Sequence, residues 1–313
     1  MNNGIEDSKE KKASPSISKL CMLMSATCMG SVGLFVTLLG NYQVYTIVLL
    51  RGIFGALFLT FFMIKTHSFS REFLNESFKL HSKPLIISGL VYPVVIYFYF
   101  YTITIHGYAI AAFLLYTSGI FVLIFIIITK MDDVSKISML SFIVALIGVA
   151  TIMEFWNDHI FSFGLFTGLL SGLALGIFVF YKKIIYKQRI SNSQNLKAKG
   201  DFDVFLAWWH LLFLIFPFLL FGAVELLKLT FIDILIAMLL GLIPTALAFA
   251  LYNAGVKNDK GGNIIILSYI EPIVATILTI LVVKSLSIFT IIGGALILIA
   301  NIMVLKFSPE RNR

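Results

Sequence analysis

The segment IIILSYIEPIVATILTILVV, Ile264–Val283, is apolar along almost its whole length, yet it carries a carboxylate, Glu271, and a proline, Pro272, side by side. A helix of about 20 apolar residues crosses the ~30 Å hydrocarbon core of a bilayer. Inside such a span a carboxylate costs about 2.5–3.5 kcal/mol on insertion scales. A proline removes one backbone hydrogen bond and crowds the preceding turn. A wall facing lipid compensates neither, so Pro272 is expected to break or bend the helix where its freed carbonyls meet protein or a wet cavity.

The rest of the chain extends this reading. Hydrophobic residues make up 59% and charged residues 13%, with a mean hydropathy of +0.97, whereas soluble domains carry about 25% charged residues. Most of the polypeptide therefore lies in lipid, where only helices or closed barrels satisfy the backbone. The apolar runs have the length of helical spans, not of ten-residue barrel strands. Charged punctuation separates ten of them, at roughly 20–40, 44–64, 84–105, 108–129, 137–153, 161–181, 204–227, 231–256, 262–283 and 287–306. The fold class is an all-α integral membrane protein with ten transmembrane helices.

Lys and Arg orient these spans. With the N-terminus inside, nearly every basic residue falls on the inner side; only Lys228 and Lys284 lie outside, and Arg51 sits within span two. Both termini are thus expected in the cytoplasm of a multi-pass cell-membrane protein. The net charge of +8 is a topology signal and an attraction to anionic lipid, and no nucleic-acid partner is expected. The inner loop 65–83 brings Phe69, Phe73, Leu74 and Phe78 near one helical face and predicts an interfacial amphipathic helix. The polar segment 182–203 reads as a flexible linker between helices 6 and 7. Cys21 and Cys28 share one helix at a separation that excludes a disulfide, and they read as packing residues.

The two halves repeat one another. YTSGIFVLIFIIITK begins at Tyr116 and YIEPIVATILTILVVK at Tyr269; each runs from a tyrosine to a short polar break and then a Gly-containing span. CMGSVGLF in span one superposes on LALGIFVF in span six, with Gly30 on Gly176. Five spans per copy is an odd number, so the second copy must enter the membrane upside down. Inverted five-helix repeats place a transporter's site near mid-membrane at their interface. The predicted organisation is a cytoplasmic tail 1–19, a first repeat 20–153, a second repeat 161–306 and a cytoplasmic tail 307–313.

The chain resembles the EamA-type transporters of the drug/metabolite transporter superfamily from Leu20 to Lys306. The residues that carry the resemblance are the ten-span layout, LLRGIFGALFL with Arg51, SYIEPIVATIL in span nine and IIGGALILIANI in span ten. It implies two five-helix halves around a central cavity lined mainly by helices 1, 3, 4, 6, 8 and 9, and a small metabolite such as an amino acid or nucleobase as cargo. The sequence departs from the family pattern at Thr117-Ser118-Gly119, where Gly119 replaces the usual proline. After span nine Lys284-Ser285 replaces an acid, while the corresponding acid after span four survives as Asp132 or Asp133.

Candidate site residues follow from faces and repeat positions. Tyr97 and Tyr101 are one turn apart on helix 3. Tyr116 and Tyr269 are repeat-equivalent, and Tyr252 and Asn253 end helix 8 as Tyr101 and Thr102 end helix 3. With Trp209 and Glu271 they form the expected cavity set, since buried tyrosine hydroxyls need polar partners. The aromatic belt at the membrane surface claims Trp156, Tyr42, Tyr45 and Tyr181. Glu271 has two functional readings, binding a cationic group of the substrate or carrying a coupling proton, and one structural reading, tying a broken helix to a neighbouring hydroxyl. Arg51 reads first as structural, pairing with an acid or carbonyl or snorkelling outward along its stem, and second as a contact for an anionic substrate. His210, beside Trp208 and Trp209, reads as hydrogen-bonded structure, and Gly52, Gly55, Gly168, Gly172 and Gly293-Gly294 as close-packing positions.

The leading function is a secondary transporter that exports or exchanges a small metabolite by alternating access. A channel, a structural subunit or a lipid or drug exporter is the alternative. No convergent nucleophile, base or metal-ligand set points to an enzyme, and no cofactor is expected. The expected partners are a small-molecule substrate and the bilayer, with a coupling proton and a second copy of the chain left open. The modest polarity of the set suits an uncharged, zwitterionic or partly aromatic solute.

Overall fold

A computed structural model of the chain describes residues 15–129, 136–152, 154, 163–192, 200–256, 267–268, 270–283 and 286–307. Tyr269, Trp156, Asp132, Asp133, Lys284-Ser285 and the tail residues 1–14 and 308–313 lie outside the described residues. All regular structure described is helical. The helices are α1 (Pro15–Gly30), α2 (Val32–Leu38), α3 (Val44–Lys65), α4 (Arg71–His106), α5 (Tyr108–Leu115), α6 (Ser118–Thr129) and α7 (Lys136–Ile152). The second half holds α8 (Phe163–Ser191), α9 (Phe202–Leu226), α10 (Phe231–Gly241), α11 (Ala248–Val256), α12 (Ile270–Val283) and α13 (Ile288–Phe307). A π turn, Leu242–Leu247, joins α10 to α11.

These helices make ten spans, because α1–α2, α5–α6 and α10–α11 are each one span with an internal irregularity. Among the described residues seven spans are long and apolar enough to cross a membrane, and α7, α12 and α13 supply three shorter apolar helices. The protein is a multi-pass membrane protein. The 22 residues of α3 rise about 33 Å at 1.5 Å each, the thickness of the hydrocarbon core.

Packing across the halves obeys a two-fold rule. Span one (α1) packs on span eight (α11), and span three (α4) on span six (α8). Spans two and seven, four and nine, and five and ten pack as equivalent pairs, through α3 with α9, α5 with α12 and α7 with α13. Exchanging the halves maps this set of pairs onto itself, as a pseudo-two-fold axis in the membrane plane requires. The Gly30–Gly176 superposition has the same property. A Cβ on Gly30 would meet the Glu271 carbonyl and Val274 Cβ, each at 2.7 Å; one on Gly176 would meet Phe121 Cβ at 2.6 Å and the Ser118 carbonyl at 3.2 Å. With Tyr116 aligned on Tyr269, Ser118 and Phe121 are the positions of Glu271 and Val274.

Two inner segments differ from the sequence reading. The amphipathic stretch is continuous with span three: α4 begins at Arg71, capped by Ser70, and kinks at His81. Pro84 is the cause, since its ring excludes the carbonyl four residues earlier. Part of the apolar face lies against α9, with Phe73 and Phe78 edge-on to Phe205 at 5.9 and 5.5 Å, while Phe69 stays largely exposed. The segment 182–203 is only partly a linker, because α8 runs on through Ser191. Burial of Ile185, a hydrogen bond from the Tyr186 hydroxyl to Asp203, and Arg189 stacked 4.1 Å over Phe202 hold that extension to the start of α9.

Candidate functional site

Spans four and nine, equivalent in the repeat, are both irregular, for different chemical reasons. In span nine α12 starts at Ile270, so Pro272 occupies its first turn. There the missing N–H has no intrahelical acceptor to lose and the fixed φ suits the helix. The break expected within the helix is therefore a helix start. Glu271 lies in this first turn, where unpaired N–H groups and the macrodipole favour a carboxylate. Span four has no proline, but α5 ends at Leu115 and α6 starts at Ser118. The Tyr116 carbonyl left at this gap accepts from Asn301 Nδ2 of α13 at 3.2 Å. A Cβ on Gly119 would collide with Asn301 Oδ1, so the glycine at the family's proline position leaves room for this cap.

The two broken spans are sewn together antiparallel. The Tyr116 hydroxyl donates to Glu271 Oε2 at 2.9 Å, with the Ser268 carbonyl as alternative acceptor at 3.2 Å. Seven residues back along the chain, the first-turn N–H of Ala109 donates to Thr279 Oγ1 at 3.0 Å. Asn301→Leu should leave the Tyr116 carbonyl only the long bond from the Gly119 N–H at 3.4 Å, at a cost of about 0.5–1.5 kcal/mol. We expect a lower thermal midpoint in detergent; an unchanged midpoint would show that the cap is dispensable.

Behind these spans lies a cavity of about 200 Å³ with walls from both halves, including Arg51 of α3, Tyr92 and Tyr99 of α4, Phe178 of α8, His210 of α9 and Glu271 of α12. Arg51 is 7% exposed. Its Nε donates to Thr245 Oγ1 at 3.1 Å, and its guanidinium carbon stands 5.4 Å from the centre of the Phe100 ring. Thr245 belongs to the π turn and donates its own proton to the Leu240 carbonyl at 2.9 Å. Pro244 in the same turn has no N–H for the α-helical ladder, which lets the turn widen and aim Thr245 at Arg51. Such π bulges are frequent at functional sites.

Tyr92, Phe178 and His210 form an aromatic wall, with ring centres 5.2 Å (Tyr92–Phe178), 5.6 Å (Tyr92–His210) and 4.6 Å (Phe178–His210) apart. His210 Nε2 lies 3.0 Å from the Ser88 hydroxyl, which donates to the Leu85 carbonyl at 3.1 Å. With the Ser88 proton on that carbonyl, Nε2 takes the donor role. At the end formed by α8, α9 and α11 the cavity meets Lys182, Asp203, Tyr252 and Asn253, and Asn253 Nδ2 is buried there with no hydrogen-bond partner among the described residues.

Away from the cavity, the turn between α2 and α3 is hydrogen-bonded to the end of α9 and the start of α10. The Tyr42 hydroxyl donates to Asp233 Oδ2 at 2.6 Å, while Thr46 Oγ1 and the Gln43 N–H donate to Glu225 Oε2 at 2.5 and 3.1 Å. The hydrogen bond to Asp233 raises the Tyr42 pKa, so the hydroxyl stays a donor at any physiological pH.

The candidate residues thus divide. Glu271, Tyr252 and Asn253 line the cavity, Tyr116 reaches it through Glu271, and Tyr269 is outside the described residues. Tyr97 and Tyr101 do not line it. Tyr97 stacks on Phe218 at 5.6 Å and lines a separate apolar hollow of about 640 Å³ between α4 and α9, and Tyr101 packs edge-on to Phe163 at 5.8 Å. Trp209 is also outside the cavity: its indole donates to the Leu85 carbonyl at 3.0 Å and packs 4.7 Å from Phe78. Its neighbour His210 takes the cavity position, as does Arg51, for which the scaffold was the first of the sequence's readings. Tyr92, Tyr99, Thr245 and Asn301 were not singled out; Pro244 in span eight and an asparagine in span ten were the available signals.

The comparisons with known proteins agree with this architecture. The profile of EamA, the EamA-like transporter family, matches residues 16–154 and again residues 162–306. The chain is also similar to a solved structure described only as "Crystal structure of protein", with a TM-score of 0.56 at 15% identity over 95% of this chain and 99% of that one. At that identity the likeness concerns the fold alone. No curated protein matches the sequence.

Proposed function

The chain belongs to the EamA-like transporter family, membrane transporters of the drug/metabolite transporter superfamily, and from that premise we propose that it is a secondary active transporter of a small metabolite working by alternating access. The observation that carries this reading is the charged, aromatic-walled cavity between two repeats, bordered by the irregular spans four and nine. Its volume of about 200 Å³ falls below the ~300–1,000 Å³ of drug-sized pockets and suits a small solute.

Purified protein in proteoliposomes tests the function. Labelled amino acids, nucleobases, polyamines and sugar phosphates are offered on one side, with a thermal-shift series in parallel. Ligand at about a hundred times its Kd stabilises the native state by about 2.7 kcal/mol. Saturable counterflow of one class is the expected result; movement of none, with no stabilisation, overturns the reading.

Orientation is part of the proposal. With both termini in the cytoplasm, a cysteine replacing Lys228 should react with an impermeant thiol reagent from outside intact cells. One replacing Asn192 should react only after permeabilisation, in a background where Cys21 and Cys28 are serine. The opposite pattern would invert the topology.

A further inference from the structure

We propose that the apolar hollow between α4 and α9 binds a lipid-soluble quinone drawn from the bilayer, with a ring carbonyl accepting from the Tyr97 hydroxyl. The hollow is separate from the central cavity, and among the described residues none lines both. Successive residues of a helix turn by about 100°, which puts the two on opposite faces of one stretch of α4. Tyr92, Val95 and Tyr99 wall the cavity, whereas Pro93, Val94 and Tyr97 wall the hollow.

Depth restricts what can enter. The hollow's wall on α4 lies within Leu90–Phe98, the middle of the span read at 84–105, and its wall on α9 within Phe213–Phe218, the middle of the span read at 204–227. Water is absent at that level, and the ester groups of the bilayer's own lipids lie about 15 Å away, half the thickness of the core. Leu90, Val94 and Phe216 are 60, 43 and 68% exposed, so the hollow opens sideways and is filled from the lipid. Its volume of about 640 Å³ lies within the ~300–1,000 Å³ of ligand pockets.

The chemistry of the wall selects among apolar occupants. Five of its nine residues are aromatic, and Tyr97 and Phe218 stack with their planes 17° apart. An acyl chain gains dispersion from such a wall; a flat ring gains stacking as well. Tyr97 supplies the one polar side-chain atom of the wall, and among the described residues its hydroxyl has no hydrogen-bond partner. A hydroxyl unpaired away from water is costly, and an acyl chain brings no acceptor to this depth. A quinone brings a flat ring, two carbonyl acceptors, no charge for the hydrocarbon to penalise and an apolar tail that stays among the lipid chains.

Trp209 reports on the site, because its ring lies 4.9 Å from that of Phe213, which lines the hollow. Decylubiquinone is titrated into Trp156→Phe protein in phosphatidylcholine nanodiscs, and tryptophan fluorescence is read. Saturable quenching is expected. Tyr97→Phe in that background should weaken it by about 2- to 10-fold, as for one neutral hydrogen bond, with the thermal midpoint unchanged because the hydroxyl holds nothing in the fold. Decylbenzene, which has the ring and tail without the carbonyls, should compete weakly and equally in both proteins. Val94→Phe, which fills the opening, should abolish saturation; the comparison of ligands on Tyr97→Phe stands without it should that variant fail to fold. Quenching that rises with quinone content and never saturates, or equal affinity with and without the Tyr97 hydroxyl, overturns the proposal. So does quenching by phosphatidylcholine with brominated chains that decylubiquinone cannot relieve, which would make an acyl chain the occupant.

Discussion

Glu271→Gln should weaken substrate binding by about 10- to 100-fold while the protein remains folded. The range follows from the ~1.5–3 kcal/mol carried by a hydrogen bond to a charged group, at about 1.4 kcal/mol per tenfold. Glutamine keeps the volume and an acceptor oxygen for the Tyr116 hydroxyl, so the bond at 2.9 Å that ties span four to span nine can persist. What is lost is the negative charge facing the cavity. The experiment compares solute counterflow, which needs no net ion movement, with accumulation driven by a proton gradient. Loss of both identifies Glu271 as a binding group. Loss of accumulation with counterflow intact would make it the carrier of a coupling proton. Full retention of both would reduce it to a structural tie, the third role its sequence position allowed. Tyr116→Phe serves as the companion variant: it removes the donor but not the charge, and it should cost only several-fold.

The span layout was legible because lipid leaves the backbone few options, and the inverted repeat because an odd count forces inversion. Even the Gly30–Gly176 correspondence proved to be one contact used twice, each glycine meeting the same position of spans nine and four. Which face of a span looks inward was much less legible. A helix apolar on all sides carries no amphipathic stripe to distinguish a protein-facing wall from a lipid-facing one. Tyr97 and Tyr101 do share a face, as their spacing requires, but it is the face toward Phe218 and Phe163. Trp209 and His210 are neighbours about 100° apart on α9, and only packing against Leu85 and Ser88 assigns one to the scaffold and the other to the cavity wall. Arg51 read as architecture because its remote partner, Thr245, depends on a π turn that no local pattern announces. A proline in a span signals a disturbed ladder, not which neighbour the disturbance will serve.

Gly241→Ala should destabilise the protein by about 1–3 kcal/mol, the usual cost of an added methyl group in a packed interior, and Gly241→Val by more. A Cβ at this position would stand 2.5 Å from Phe54 Cβ and 2.7 Å from both the Gly55 nitrogen and the Phe54 carbonyl carbon. Two of these three atoms are backbone of α3, so no side-chain rotation relieves the clash and α10 must move away from α3. Gly89→Ala is the control, because its new methyl group would meet the Phe213 ring at 2.8 Å, and that ring borders the α4–α9 hollow into which it can tilt. The thermal midpoint in detergent should therefore fall by several degrees for Gly241→Ala and clearly less for Gly89→Ala. A second consequence separates this site from any other tight contact. Gly241 immediately precedes the π turn, and Gly55, which a Cβ would press, lies one turn beyond Arg51 and against Thr245. Parting the helices stretches the Arg51–Thr245 bond and loosens the guanidinium that faces the cavity. Ligand affinity measured below the midpoint, where Gly241→Ala is still folded, should drop several-fold, whereas Gly89→Ala should bind as the wild type does. Equal midpoints for the two variants, or lost stability with affinity intact, would mean that the α3–α10 contact does not set the position of Arg51.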